Sequence, residues 1–165
     1  GMLILVEQFS NAAKPKNPDR QADCQSIVDF YLENLEAVNN WDLVDATAPK
    51  ILGAWLVECP TRRKVLFQLA KSSTVWERRI AVVSNYTLIK NDEYREILDL
   101  SERLLHDEHE LMHKAIGWML RELGKRDQNL LEQFLHKHAG EMPRTMLRYA
   151  IEKFSKQEHE KWMNH

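Results

Sequence analysis

Glycine and proline are scarce, five of each in 165 residues. With Leu, Glu, Lys, Ala and Arg plentiful, that shortage argues for an all-helical chain rather than one broken up by turns. Cysteine is scarcer still. Cys24 and Cys59 lie far apart with no CxxC spacing, so they read as ordinary reduced thiols of a cytoplasmic protein rather than a disulfide framework. No run of about 18 apolar residues exists, so nothing in the sequence is suited to span a membrane. The apolar start "LILV" is too short, and too soon followed by Glu7, for a signal peptide. Gly1 ahead of Met2 reads as a tag remnant, which leaves residues 2–165 as one domain, long enough to bury roughly two-thirds of its unfolded surface.

A large charge of one sign is also missing. The net charge is −2, which looks wrong for a nucleic-acid binder until it is counted in blocks. Residues 1–60 carry −5, 61–90 carry +6, 91–113 carry −6, 114–126 carry +3, 127–142 carry −2 and 143–153 carry +2. Charge sorted by element matters more than its sum, because a basic face can bind phosphates while acidic faces look elsewhere.

What is present is apolar periodicity near 3.6 along most of the chain. It predicts helices at about 3–12, 21–37, 40–57, 61–71, 74–90, 92–106, 109–125, 127–138 and 143–155, with a short tail helix. The connections "CPT", "SST", "KND", "HDE", "GKRD" and "AGEMP" are short, which makes sequential helices antiparallel neighbours. Trp41, Trp76 and Trp118 recur 35 and 42 residues apart, each in a helix that follows an intervening one. A repeat of that length with two helices per unit predicts HEAT-like antiparallel pairs stacked into a curved α-solenoid. A stack of three-helix bundles without curvature is the alternative. In the solenoid, the helices holding the basic blocks would share one concave face.

Those helices carry small motifs pairing an aromatic with a charge. Trp41 and Asp45 are i,i+4 in "NNWDLVD", where the Asn pair is a helix N-cap; Trp76 and Arg79, and Trp118 and Arg121, are i,i+3. Singly, each has a plain structural reading: cation–π packing at a core edge for the Trp–Arg pairs, a capping or dipole role for the Asp. Recurrence in successive repeats favours a shared cleft of indoles, arginines and one carboxylate. Such a cleft suits a flat cation attached to a polyanion: the indoles stack on it, the arginines hold phosphates, and the carboxylate stabilises positive charge developing at a sugar.

The segments "NNWDLVDATAPKILG", "LAKSSTVWERRIAVV", "HKAIGWMLRELGKRD" and "HAGEMPRTMLRYAIEKF" together resemble the AlkD-type DNA alkylation repair enzymes, the HEAT-like-repeat DNA glycosylases. The resemblance spans residues 39–153. It implies hydrolysis of the N-glycosidic bond of cationic 3- or 7-alkylated purines in double-stranded DNA, with no metal or organic cofactor. It places the catalytic carboxylate on Asp45, aromatic contacts to the lesion on Trp41 and Trp118, and backbone or active-site arginines on Arg79 and Arg121. Arg78, Lys125, Arg144 and Arg148 are candidate phosphate contacts, although Arg144 and Arg148 could instead pair with Glu141 and Glu152. No lysine stands out as a Schiff-base former, so strand cleavage by a lyase step is not expected. Full-length family members have further N-terminal helices ahead of the matching region, so a shorter DNA footprint and weaker affinity are expected. Thr87, two turns past Arg79, offers no basic contact there. The alternative is a HEAT-like module that binds nucleic acid or protein and has lost the chemistry. An apolar solenoid end would leave room for a homodimer.

One motif points elsewhere. "HELMH", residues 109–113, satisfies the zinc-hydrolase pattern, with Glu132 or Glu141 as a conceivable third ligand. It lies in a charged turn that opens a helix, where surface histidines are the expected outcome; His136 and His138 point to different helix faces and suggest no site. The methionines read as core filler.

Overall fold

The computed structural model describes residues 1–165 and contains helices and no strand. They are α1 (Met2–Ala12), α2 (Arg20–Glu33), α3 (Trp41–Thr47), α4 (Ala54–Glu58), α5 (Lys64–Leu69), α6 (Val75–Val83), α7 (Asn85–Lys90), α8 (Arg95–Arg103), α9 (Glu110–Arg126), α10 (Gln128–His138), α11 (Arg144–Ala150) and α12 (Lys156–Met163). Short 3₁₀ turns at Leu35–Ala37 and Pro60–Arg62 extend α2 and precede α5.

Two of the expected single helices are each built from two pieces. The 40–57 helix is α3 and α4 joined through a π-helical turn, Pro49–Gly53. Pro49 has no N–H to return to the carbonyl of Asp45 one turn back, so the ladder shifts register here, and Gly53 donates to Ala48, five residues behind, at 2.8 Å. The 74–90 helix breaks at Ser84. The Ser84 hydroxyl and the Asn85 amide both bond back to carbonyls one turn earlier, Ile80 at 2.7 Å and Ala81 at 2.9 Å, and such back-bonding bends a helix. The 92–106 helix starts late, at Arg95, because Asp92 takes a left-handed turn with φ 59°. The 143–155 helix ends at Ala150, and Pro143 is its N-cap.

The chain is an α-solenoid of HEAT-like pairs. The helices α1, α3, α6, α9 and α11 lie side by side in chain order, and α2, α5, α8 and α10 each pack against a member of that row. One apolar core of 41 buried residues runs through every repeat, from Leu5 to Trp162. Two close approaches fix the row. A Cβ on Gly53 would sit 2.3 Å from the carbonyl oxygen of Ser84, so the π turn meets the α6–α7 break backbone to backbone. A Cβ on Gly117 would sit 2.5 Å from Tyr149 and 2.6 Å from the Met146 carbonyl, so α11 is seated directly on α9.

Candidate active site

The side chain of Asn40 accepts the N–H of Leu43 at 2.9 Å and starts α3, which sets Trp41 and Asp45 one turn apart on one face. Behind them the chain is locked. Tyr31 is buried with its hydroxyl 2.8 Å from that of Thr47, and burial pushes the phenol up to about 12, outweighing the hydrogen bond, which acts the other way. On the far side stands Thr87 of α7. It donates to the carbonyl of Pro49 at 2.5 Å and so ties α7 to the π turn.

Asp45 receives a two-pronged hydrogen bond from Arg79, Nε to Oδ1 at 3.1 Å and Nη2 to Oδ2 at 2.9 Å, while Arg79 Nη1 donates to the carbonyl of Leu111 at 2.7 Å. The Arg79 side chain is 7% exposed and that of Asp45 22%. Arg79 thus turns three of its five N–H donors inward to α3 and α9 and holds the carboxylate, while still lining the cleft. Each Asp45 oxygen accepts a single N–H, which leaves lone pairs for the cleft.

That cleft holds about 450 Å³ and is lined by Trp41, Asp45, Arg79, Leu111, Lys114, Trp118, Arg121 and Tyr149. All five expected site residues thus come together, from α3, α6 and α9. Trp41 is 55% exposed, an unusual cost for an indole with no neighbour to cover it. Trp118 leans on Tyr86 at 5.8 Å between ring centroids, and Lys90 Nζ lies over the Tyr86 ring, 4.7 Å from its centroid. Arg121 is held by Glu152, with Glu122 at 3.7 Å, and its buried Nε has no partner. A second, larger hollow of about 770 Å³, bounded by Phe9 of α1, Lys50, Tyr86 and Lys90, opens beside the first and shares Asp45 and Trp118 with it.

Leu111, Lys114 and Tyr149 were not foreseen as site residues. Leu111, Lys114, Trp118 and Arg121 fall at i, i+3, i+7 and i+10, one face of α9, so a helical wheel contains that signal. Tyr149 arrives only because Gly117 admits α11.

Other expected contacts fall elsewhere. Trp76 packs against the core and does not line the cleft, so the threefold tryptophan pattern marks repeats, not site residues. Arg78 points away from Arg79 and binds Asp107 through Nε at 2.8 Å and Nη2 at 3.3 Å, with Nη1 on the carbonyls of Ser72 and Ser73 at 3.2 and 3.1 Å. Most of its phosphate-binding capacity is spent. Lys125 pairs with Glu122 at 3.1 Å. Arg144 and Arg148 are exposed and their suggested partners are taken, Glu141 by His106 at 3.3 Å and Glu152 by Arg121. Within "HELMH", His109 caps α9 by accepting the N–H of Leu111 at 3.1 Å, and His113 bonds the carbonyl of Asp107. No three His, Cys, Asp or Glu side chains form a group that could hold a metal ion, and no helix is long and apolar enough to cross a membrane.

The sequence profile of the family described as DNA alkylation repair enzyme matches residues 3–154, α1 and α2 included. The chain belongs to that family. Membership of the DNA alkylation repair enzymes places it in DNA repair. A solved structure named "Predicted DNA alkylation repair enzyme from Enterococcus faecalis" is similar in fold, with a TM-score of 0.62 at 19% identity, over 93% of this chain and 76% of that one. No curated protein matches the chain.

Proposed function

We propose that this DNA alkylation repair enzyme is a monofunctional glycosylase, releasing cationic 3- or 7-alkylated purines from double-stranded DNA. One observation carries the reading: a carboxylate, Asp45, presented by a two-pronged arginine at the floor of a cleft walled by Trp41, Trp118 and Tyr149.

An alkylated purine bears a positive charge on its ring and departs as a neutral base, so no strong general acid is needed. As the glycosidic bond lengthens, positive charge moves onto C1′ of the sugar. Asp45, with its negative end turned to the cleft, stabilises that charge and orients a water to add to C1′. Arg79 keeps the carboxylate in place so that no reorganisation is required at the moment of reaction. The indoles hold the flat cation or its sugar by stacking and cation–π attraction. Phosphates are left to exposed cations, Arg144 and Arg148 foremost, because Arg78 and Arg79 are engaged within the protein.

A second reading rests on the same ion pair. Asp45 and Arg79 bridge α3 to α6, and a module that only binds nucleic acid or protein would keep such a bridge for packing alone. The deciding experiment follows free methylated base released from methylated duplex DNA by the wild type and by Asp45→Asn. Release by the wild type and not by the variant supports the glycosylase. A folded wild type that binds DNA and releases nothing leaves the binding module.

A further inference from the structure

The second hollow beside the cleft has a chemistry of its own. It holds about 770 Å³, and its walls combine the apolar side chains of Val6 and Phe9 from α1 with the Tyr86 ring and two exposed lysines, Lys50 of the π turn and Lys90 at the end of α7. Neither lysine is paired with a carboxylate, and the one acid on these walls, Asp45, is already bonded to Arg79. Lys90 Nζ lies instead over the Tyr86 ring, 4.7 Å from its centroid. The two lysines are held in fixed relation. Thr87, one turn before Lys90, donates to the carbonyl of Pro49, next to Lys50, at 2.5 Å, and Gly53 meets Ser84 backbone to backbone. A cavity of ligand size with free cations on one side and an apolar wall on the other suits a nucleotide backbone, with the sugar against the wall and the phosphate on the ammonium groups.

We infer that this hollow is a second phosphate subsite, binding the backbone of a nucleotide adjacent to the damaged one. The inference rests on the glycosylase reading for its placement: Asp45 and Trp118 line both hollows, so the occupant of one lies beside the sugar that reacts in the other. Within the cleft the arginines are committed, Arg79 to Asp45 and Leu111, Arg121 to Glu152, which leaves lysines as the free cations near the reacting sugar. Lys50 and Lys90 meet a phosphate as point charges and give up little to do so. No carboxylate has to be displaced, and Lys90 exchanges a ring face for an anion. Binding there anchors the backbone beside the lesion and holds C1′ against Asp45, so the two lysines are positioning residues. The DNA track then runs past the cleft toward α1, away from α11 where Arg144 and Arg148 stand. The same phosphodiester chemistry is offered by the lesion strand, through the neighbouring nucleotide, and by the facing strand.

The test follows binding by fluorescence anisotropy on duplex DNA carrying a tetrahydrofuran abasic analogue, which has no base to lose, so the readout is independent of this chain's chemistry. The double variant Lys50→Gln/Lys90→Gln should bind roughly tenfold more weakly at low salt, with the slope of log K against log salt reduced by about 2 and the melt unchanged. Lys64→Gln/Lys71→Gln removes the same charge at α5, measures the loss due to net charge alone, and should leave the slope close to wild type. Each phosphate near the lesion is then replaced, one at a time on both strands, by a neutral methylphosphonate. At the phosphate held in the hollow, the replacement weakens the wild type and leaves the Lys50/Lys90 variant unaffected. Its position, on the lesion strand or on the facing strand, names the source. Equal losses in the two lysine pairs, or no phosphate at which the two effects overlap, overturn the inference. Release of methylated base without such a phosphate keeps the catalytic reading and removes the subsite. A coupled phosphate without base release does the reverse.

Discussion

Arg78 and Arg79 are adjacent on α6, and each grips a carboxylate from another element with a fork of N–H groups while also binding backbone carbonyl. Their settings differ. Asp107, partner of Arg78, is 7% exposed, its Oδ1 also accepts the N–H of His109 at 3.0 Å, and the surface around it is polar: His106, Glu108 and His109. Asp45, partner of Arg79, is 22% exposed and faces aromatic walls. The more fully bonded carboxylate, with three N–H donors and polar side chains around it, holds loops together. An unsaturated one between indoles has bonding capacity left for a ligand, in surroundings that strengthen its field. The ion pair alone marks neither role; the walls and the spare lone pairs do.

The comparison predicts its own ways of failing. The largest effect belongs to Asp45→Asn, which should lower the rate of base release by about 10²-fold or more, the usual size for losing a preorganised charge at a developing ion. A variant that still releases base at near the wild-type rate would reduce Asp45 to a packing residue like Asp107. Next comes Arg79→Lys. It preserves charge but not the planar fork that fixes both carboxylate oxygens and the Leu111 carbonyl, so the rate should fall roughly tenfold with substrate affinity less affected. Rapid-quench turnover read against DNA binding separates the two. Asp107→Asn should do the opposite of both. It leaves Arg78 short of its counter-charge and costs about 2 kcal/mol, a drop of roughly 5 °C in Tm, with the rate per folded molecule within about twofold of wild type.

Much of this contrast lies beyond what residue spacing carries. Asn40, Trp41 and Asp45 are legible, because a cap and an i,i+4 interval are local. So are Trp118 and Arg121, and with them Leu111 and Lys114 on the same face of α9. Which way an arginine turns is not local: the partners of Arg78 and Arg79 lie 29 and 34 residues away, and two adjacent helical residues point about 100° apart wherever the helix is placed. The recurrence of Trp76 misleads for the same reason, since equal spacing in sequence places a residue in a repeat and not on its inner surface. Tyr149 and Thr87 depend on the backbone approaches at Gly117 and at the π turn, which no single helix reveals.

The exposed cations give a smaller effect. Arg144 and Arg148 carry no carboxylate partner, so each is free to displace a counterion from DNA. Replacing either with Ala should leave the melt unchanged, weaken binding at low salt, and reduce the slope of log K against log salt by about 1. An unchanged slope for both would move the phosphate track to the other hollow, where Lys50 and Lys90 stand.

The smallest effect comes from another carboxylate–arginine pair, Asp92 with Arg126 at 2.7 Å, which lies in the open. The hydrogen bond from Arg126, and after it the one from Tyr94, hold the Asp92 carboxyl below the ordinary value of 3.8. A depressed carboxyl stabilises the fold above its unfolded value and stops doing so as pH falls through the folded one. Asp92→Asn keeps a residue that tolerates the left-handed backbone at φ 59°, so it isolates the charge. Its melt should lie slightly below wild type at pH 7, and the two should converge as the medium is taken below the usual carboxylate range, with base release unaffected throughout. Water screens this pair on all sides, and neither walls nor burial make anything more of it. A change in turnover from Asp92→Asn would therefore tell against the distinction drawn from Arg78 and Arg79, because it would give catalytic weight to a carboxylate with no cleft around it.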